Sequence, residues 1–251
     1  MTTTGLGLPE HIRACLFDLD GVLTRTATVH AAAWKATFDD FLRRRDGADF
    51  RPFDSVADYD QYVDGMPRAD GVRSFLASRD IALPEGGGDD AKDRDAKDRD
   101  TVHGLGERKN EIVLRMIKEQ GVQAYPGSVR FVEAVRAAGL RRAVVSSSAN
   151  CRDVLIAAGI EDLFEVRIDG VVAAEQGLPG KPHPDTFLAA ARALGVDPGG
   201  AAVFEDALAG MEAGRSGGFG FVVGVDRVGQ AEALRRHGAD VTVRDLDELM
   251  G

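Results

Sequence analysis

The feature that most constrains this chain is a set of short apolar runs that each end in polar residues or glycine. The first run, residues 13–17, leads directly into Asp18, Asp20 and Gly21. A short apolar run that stops at turn-forming residues is typical of a buried β-strand. We therefore predict a strand here, with the acidic motif at its carboxyl end.

Further apolar runs predict more strands, and helix-like segments separate several of them. The predicted strands are residues 143–145, 166–168, 201–204, 220–225 and 241–243. The helix-like segments include residues 131–138, 184–194 and 207–213. Strands that alternate with helices indicate an α/β fold with a mainly parallel sheet.

Residues 27–120 follow a different pattern, because long amphipathic segments dominate and no buried strand stands out. These segments are residues 29–44, 69–79 and 107–120. A chain of 251 residues is long enough for one main domain and a smaller inserted one. We predict a main domain formed by residues 1–26 and 121–251, with residues 27–120 as a helical insertion.

Within this insertion, residues 86–100 combine a glycine run with a duplicated Ala-Lys-Asp-Arg-Asp block. The duplication is too short to indicate a solenoid repeat. A segment of mixed charge without large apolar residues is most simply a solvated loop or helix surface. A binding role for this acidic insert is the alternative.

The composition argues against several classes of function. The formal net charge of −10 argues against a nucleic-acid partner, because nucleic-acid phosphates are held by clustered Lys and Arg side chains. A small phosphorylated metabolite is compatible with this charge, since it needs only a few local cations and a metal ion. Cys15 and Cys151 lack the spacing of a disulfide framework or a zinc site, so we expect buried thiols in a reducing cytoplasm.

We also expect no membrane partner. No apolar run reaches about 18 residues, and residues 1–11 lack the basic and apolar regions of a signal peptide. The chain is therefore expected to be a cytoplasmic protein, and we expect it to be a monomer.

The carboxylates of Asp18 and Asp20 are the first candidates for chemistry. Two positions apart on a continuing strand, they would share one face at the carboxyl edge, where open parallel sheets bind ligands. The pair could hold a hard cation through oxygen ligands. It could also divide catalytic work, with one carboxylate attacking phosphorus and the other moving protons. A turn-forming or helix-capping pair is the structural alternative.

Three later strand ends carry further polar residues. The three serines at 146–148 offer hydroxyls and backbone amides to phosphate oxygens, although a serine run is also common in ordinary loops. Residues 180–185 contain two prolines that would present Lys181 as a cation. Glu205 and Asp206 lie between a strand and a helix, where they could cap the helix or complete a metal site.

These four elements, in this order, resemble the haloacid dehalogenase superfamily, and the similarity covers nearly the whole chain. The resemblance implies a Rossmann-like, doubly wound core with a helical cap inserted after the first motif. It implies that Asp18 forms an aspartyl-phosphate and that Asp20 acts as general acid and base. Ser146 and Lys181 would bind the transferring phosphoryl group.

The same resemblance implies a metal site. Mg²⁺ would be held by Asp18, Asp206 and the backbone carbonyl of Asp20. Glu205 would support these ligands. Mg²⁺ and Lys181 together would offset the charge on the oxygens of the transferring phosphoryl group. An aspartate beside two cationic centres stays ionised and therefore nucleophilic.

The insertion is similar to that of the β-phosphoglucomutase-like family at the level of single motifs. Residues 24–35 contain a threonine, a histidine and a Trp-Lys pair, and residues 65–68 resemble a G-x-x-R loop. Residues 108–110 resemble an R-K-N helix, and residues 146–150 a serine-rich loop that ends in asparagine. The further phosphate- and substrate-binding residues that this similarity implies are Thr26, His30, Trp34, Arg68, Lys109, Asn110, Ser147, Ser148 and Asn150.

What this similarity implies is a mutase. β-D-Glucose 1-phosphate would become glucose 6-phosphate through glucose 1,6-bisphosphate, which has to turn end over end. Arg68 would anchor the phosphate remote from Asp18, since arginine can bind phosphate with two parallel hydrogen bonds. His30 would couple substrate binding to closure of the cap, which excludes water. Core packing is the alternative for Trp34, and an ordinary surface position for Arg68.

Two residues depart from the family pattern, and three hypotheses stay open. Arg25 replaces an acidic residue between two threonines, and Ala149 stands where a lysine precedes the asparagine. The hypotheses are a mutase, a phosphatase that acts on a sugar phosphate or another small phosphoester, and a non-catalytic phosphosugar-binding protein. The complete catalytic set argues against the last, because a binding protein needs no nucleophile.

Overall fold

The computed structural model describes residues 5–87 and 100–250. The chain divides into two units, one from Met1–Thr26 with Val122–Gly251 and one from Ala27–Gly121. Most of the acidic insert, residues 88–99, lies outside the described residues. The solvated surface expected for it therefore stays a prediction.

The first unit is built on a six-stranded sheet. Its strands are β1 (Ala14–Phe17), β2 (Arg141–Val145), β3 (Val166–Ile168), β4 (Ala201–Glu205), β5 (Phe221–Val225) and β6 (Val241–Val243). Their order across the sheet is β3-β2-β1-β4-β5-β6. All neighbouring strands run parallel, which confirms the predicted α/β fold.

The chain changes direction across the sheet at β1. It first builds β2 and β3 on one side of β1, and it then places β4, β5 and β6 on the other. Phe17, the last residue of β1, stands opposite Val144 of β2 and Phe204 of β4. Open parallel sheets bind ligands at the carboxyl ends of the strands beside such a switch point. The residues that follow β1, β2 and β4 are therefore at the usual ligand site of this architecture.

Helices of the first unit cover both faces of the sheet. The described helices are α1 (Ala27–Asp46), α2 (Ala57–Tyr62), α3 (Arg68–Ala77), α4 (Val102–Gln120), α5 (Pro126–Ala137), α6 (Cys151–Ala157), α7 (Gly170–Gln176), α8 (Asp185–Leu194), α9 (Leu208–Ser216) and α10 (Ala231–Arg236). Leu16 of β1 shares a core with Phe187 of α8 and Met211 of α9. Neighbouring side chains in a strand point to opposite faces, and Phe17 contacts Phe131 of α5. The sheet is therefore doubly wound, as predicted.

The second unit contains α1–α4 and no strand within its described residues. Its core is aromatic. Phe38 stacks on Trp34 with ring centroids 5.0 Å apart, and the Phe38 and Phe75 centroids are 4.1 Å apart.

None of the described helices in the chain combines the length and the apolar character needed to cross a membrane.

The helix α4 begins earlier than the predicted residue 107. Its first residue is Val102, and the Thr101 hydroxyl accepts a hydrogen bond of 2.9 Å from the Gly104 amide. Threonine at this position satisfies one of the free amides of the first helical turn. Gly104 and Gly106 have no side chain, so the first turn of α4 shows no clear apolar periodicity in the sequence.

Candidate active site

The carboxyl end of β1 positions Asp18. Its backbone amide donates a hydrogen bond of 2.9 Å to the Phe204 carbonyl, which extends the pairing of β1 with β4 by one residue. The Asp18 side chain is buried and accepts a hydrogen bond of 2.5 Å from Lys181 Nζ. Two of the predicted site residues, 163 positions apart in sequence, are therefore in direct contact.

Lys181 is buried at the same edge, with 1% of its surface exposed. Its Nζ contacts Asp18 and Glu205, and it donates a hydrogen bond of 3.2 Å to the Val145 carbonyl at the end of β2. Burial alone would lower the pKa of this lysine, but the two carboxylates raise the pKa above its ordinary value. The two carboxylates therefore favour the cationic form of Lys181.

Glu205 uses both of its carboxylate oxygens. Oε1 accepts from Lys181, and Oε2 accepts hydrogen bonds of 3.0 Å from the backbone amides of Asp206 and Ala207. The side chain is fully buried. Glu205 thus closes the turn between β4 and α9 while it also pairs with the lysine.

The acidic residues at this edge fit a hard cation. Carboxylate oxygens of Asp18, Glu205 and Asp206 lie within 4.8 Å of one another. Such oxygen donors are the ligands that Mg²⁺ takes in proteins. Because Glu205 is already engaged with Lys181 and two amides, Asp18 and Asp206 are the better candidates for direct ligands. The supporting role that the family resemblance implies for Glu205 stays a prediction.

The surroundings of Asp18 raise the pKa of its carboxyl well above the usual range. Burial is the main cause, and the charges of Glu205 and Asp20 raise the pKa further, whereas Lys181 lowers it. The expectation of an ionised Asp18 depended on two cationic centres, of which Lys181 is one. A second positive charge among these carboxylates would lower the pKa.

The Asp20 carboxylate is held by a threonine that follows it in the sequence. Thr26 donates a hydrogen bond to Asp20 Oδ1, and the Thr24 and Thr26 hydroxyl oxygens are 2.7 Å apart. Thr24 in turn donates a bond of 3.2 Å to the Leu19 carbonyl. The predicted site residue Thr26 therefore contacts the predicted acid and base.

The serine loop after β2 is ordered by its own hydroxyls. Ser146 Oγ accepts a bond of 3.1 Å from the Ser148 amide, and Ser148 Oγ accepts one of 3.2 Å from the Asn150 amide. The loop also packs tightly on the start of α7. A Cβ on Gly170 would lie 2.8 Å from the Ser147 carbonyl oxygen. Glycine at position 170 therefore lets this loop approach α7.

In the helical unit, three of the predicted substrate-binding residues form one cluster. Lys109 Nζ is 2.8 Å from His30 Nδ1 and lies 4.9 Å from the centroid of the Trp34 ring. Lys109 is buried, and Trp34 is 3% exposed and stacked on Phe38. Trp34 is thus a core residue, which is the packing role that the sequence left as its alternative.

The other two predicted residues of this unit lie on α3 and α4. Arg68 Nη2 pairs with Glu107 Oε1 at 2.8 Å, and both side chains are about one-third exposed, at 31% and 32%. Gly106 lies under the aliphatic part of Arg68, since a Cβ there would be 3.3 Å from its Cγ. Asn110 is half-buried on α4.

The loop after β5 contributes residues that sequence reasoning missed. Arg227 Nε donates to the Gly21 carbonyl at 3.0 Å, and Gln230 Nε2 donates to the Asp206 carbonyl at 3.0 Å. A signal for them was present, because Asp226 and Arg227 directly follow an apolar run and a glycine lies two residues further on. The predicted site residues at 18–21, 146–148 and 205–206 likewise follow apolar runs directly.

Comparisons with known proteins identify the family. Residues 12–218 match the haloacid dehalogenase-like hydrolase family. The β-phosphoglucomutases of Mycobacterium tuberculosis and Mycobacterium bovis are each 56% identical over 251 residues, which is 98% of this chain and 94% of theirs. The β-phosphoglucomutase of Bacillus subtilis is 33% identical over 95% of this chain and 92% of its own.

Solved structures give the same result. The crystal structure of β-phosphoglucomutase from Clostridium difficile superposes with a TM-score of 0.73 and 27% identity, covering 95% of this chain and 93% of that one. A family match over most of the chain, together with relatives of this identity and coverage, establishes membership. The chain is therefore a phosphotransferase of the haloacid dehalogenase superfamily and belongs to its β-phosphoglucomutase-like family.

Proposed function

We propose that this enzyme is a Mg²⁺-dependent β-phosphoglucomutase that interconverts β-D-glucose 1-phosphate and glucose 6-phosphate. The observation that carries the proposal is the contact of Lys181 with Asp18 beside Asp206 at the switch point of the sheet. This arrangement combines a nucleophile, a fixed cation and a place for a metal ion. The mutase names of the 33–56% identical relatives support a sugar phosphate as substrate.

Asp18 is the proposed nucleophile. One of its carboxylate oxygens would attack phosphorus of the bisphosphate, and the bond from phosphorus to the sugar oxygen would break. Lys181 would stabilise the charge on the phosphoryl oxygens. Mg²⁺, held by Asp18 and Asp206, would supply further positive charge to these oxygens and keep Asp18 ionised.

Asp20 is the proposed acid and base. It would give a proton to the sugar oxygen that leaves phosphorus, and it would take a proton from the sugar hydroxyl that attacks the aspartyl-phosphate in the second half of the reaction. The hydrogen bond from Thr26 holds the Asp20 carboxylate in one orientation. The Ser146 hydroxyl and the amides of the serine loop would bind the remaining phosphoryl oxygens.

Residues of the helical unit would hold the second phosphate. Arg68 can present two parallel donors to it, and Lys109 and Asn110 would bind sugar hydroxyls and phosphate. The serine loop would contribute further hydrogen bonds to the second phosphate, from Ser147, Ser148 and Asn150. A sugar held in this way could deliver its own hydroxyl to the aspartyl-phosphate before water does.

The description of the matching family as hydrolases favours a second candidate. A phosphatase would use the same Asp18 and Asp20, but it would let water attack the aspartyl-phosphate. The substrate would then be a sugar phosphate or another small phosphoester. The decisive difference between the two candidates is the acceptor of the phosphoryl group, which is a sugar hydroxyl for the mutase and water for the phosphatase.

One assay separates them. The enzyme is incubated with β-D-glucose 1-phosphate, Mg²⁺ and a trace of glucose 1,6-bisphosphate, and glucose 6-phosphate and inorganic phosphate are followed together. We expect isomer without phosphate. Stoichiometric release of phosphate without isomer would establish the phosphatase instead.

Further measurements test the other parts of the proposal. Asp18→Asn should abolish turnover and the covalent labelling of the protein by phosphate, and turnover by this variant would exclude Asp18 as the nucleophile. Chelation of Mg²⁺ should stop the reaction reversibly. Size-exclusion chromatography with light scattering should show the expected monomer.

A further inference from the structure

We propose that Arg227, in the loop between β5 and α10, is a positioning residue for the reaction because it holds the turn that carries Asp20. The inference rests on the proposed role of Asp20 in proton transfer. Arg227 Nε donates to the Gly21 carbonyl at 3.0 Å, and Nη2 donates to the Val22 carbonyl at 3.2 Å. These are the two residues that directly follow Asp20.

The guanidinium of Arg227 is itself fixed. Its Nη1 donates to the Arg244 carbonyl at 2.6 Å and pairs with Asp245 at 3.3 Å. Its central carbon lies 3.7 Å from the centroid of the Tyr125 ring. The side chain is only 14% exposed. Because the donors of arginine form a rigid planar fork, these contacts set where the Gly21 and Val22 carbonyls can lie.

The same loop reaches the acidic residue after β4. Gln230 Nε2 donates to the Asp206 carbonyl at 3.0 Å. The loop is closed by Asp226, whose Oδ1 accepts bonds of 2.7 Å from the amides of Gly229 and Gln230. Arg227 and Gln230 therefore connect the Asp20 turn and the Asp206 backbone through one short, internally bonded segment.

The position of this turn matters for the chemistry. A general acid or base must come within hydrogen-bond reach of the oxygen it serves, and a displacement of about 1 Å can cost about 100-fold in rate. Thr26 orients the Asp20 carboxylate, but it does not contact the backbone carbonyls that Arg227 holds. The Val22 carbonyl also accepts a bond of 2.7 Å from the Ser128 hydroxyl, so loss of Arg227 would mainly release the Gly21 carbonyl, while the nucleophile at the end of β1 stays in place.

Three variants test this role. Arg227→Met removes the donors and keeps most of the aliphatic stem, and Arg227→Lys keeps the charge but loses the fork. Arg235→Met is the control, since Arg235 is an exposed arginine of α10 that donates to the Thr242 hydroxyl. Each variant is assayed as the full chain with Mg²⁺, at a temperature where circular dichroism shows it to be folded.

For Arg227→Met we expect kcat to fall about 10- to 100-fold in both the mutase reaction and the hydrolysis of a small aryl phosphate, because Asp20 acts in both. KM should change by less than about threefold, because the phosphate-binding groups are untouched. Arg227→Lys should lie between this variant and the wild type. Amides of residues 19–24 should exchange hydrogen faster in both Arg227 variants, by mass spectrometry without substrate.

The inference is overturned if Arg227→Lys and any folded Arg227→Met keep wild-type kcat, if exchange at residues 19–24 is unchanged, or if Arg235→Met loses as much activity. Its failure is distinct from failure of the proposed function. If the wild type releases phosphate and makes no isomer, the mutase proposal falls, while aryl phosphate hydrolysis still tests Arg227. If the wild type isomerises and the Arg227 variants match it, only the inference falls.

Discussion

Gly21 and Asp206 lie so close together that a Cβ atom on residue 21 would be 1.8 Å from Asp206 Oδ2. Gly21 also has a φ of +90°, a backbone angle that residues other than glycine rarely adopt. The turn after β1 can therefore approach Asp206 this closely only because residue 21 has no side chain. This contact leads to the first prediction.

Gly21→Ala should displace the Asp206 carboxylate and weaken Mg²⁺ binding. We expect the apparent Mg²⁺ affinity, measured by titration calorimetry, to fall at least about tenfold, equivalent to about 1.4 kcal/mol. Gly47→Ala is a matched control, because Gly47 has a φ of +65° but a Cβ there would meet nothing within 4 Å. Equal effects of the two substitutions would show that backbone strain, and not the Asp206 contact, is responsible.

Lys181→Met should cost both activity and stability. The substitution leaves the carboxylates of Asp18 and Glu205 buried without their cation, and breaking a buried ion pair in this way typically costs about 3–5 kcal/mol. The free energy of unfolding in urea is the measurement. Arg236→Met provides the comparison, since Arg236 forms an exposed pair with Glu232 and its loss should cost less than about 1 kcal/mol. Similar losses in the two variants would contradict the buried-pair account.

Glu107→Gln should improve substrate binding. Glu107 holds Arg68 at 2.8 Å, so a phosphate that binds Arg68 has to displace this carboxylate. A partly exposed pair of this kind contributes about 0.2–1 kcal/mol, so we expect KM for β-D-glucose 1-phosphate to fall by up to about fivefold with kcat unchanged.

A matched control for Glu107 is Glu85→Gln, because Glu85 pairs with Arg73 in the same helical unit. It should leave KM unchanged. Hydrolysis of a small aryl phosphate should not respond to either substitution. An unchanged or higher KM in Glu107→Gln would show that Arg68 does not exchange Glu107 for substrate.

The two cysteines should be unreactive in the folded protein. Cys15 and Cys151 are buried free thiols, as the sequence predicted, and burial raises the pKa of both. The thiolate is the reactive form, so we expect no reaction with a thiol reagent at pH 8 until denaturant is added. Above the ordinary thiol pKa of about 8.5, the unfolded chain ionises first, so these thiols should lower the stability as pH rises. Rapid labelling of the native protein would contradict their burial.

Much of the fold could be predicted from local patterns. Parallel strands buried on both faces are short apolar runs, and each strand of the sheet was found within about a residue or two of its ends. Four short helices, α2, α6, α7 and α10, were not predicted. They contain six or seven residues each, which is fewer than two helical turns and too short to establish a period.

The sequence by itself determined the alternation of strands and helices along the chain and the polar residues that follow β1, β2 and β4. Only the tertiary structure decided which of these residues touch. Glu205 is committed to Lys181 and two amides, Arg68 is paired with Glu107, and Arg227 holds a carbonyl 206 residues away. Local patterns reflect the burial of neighbouring side chains, whereas hydrogen-bond partners depend on which loops meet at the edge of the sheet.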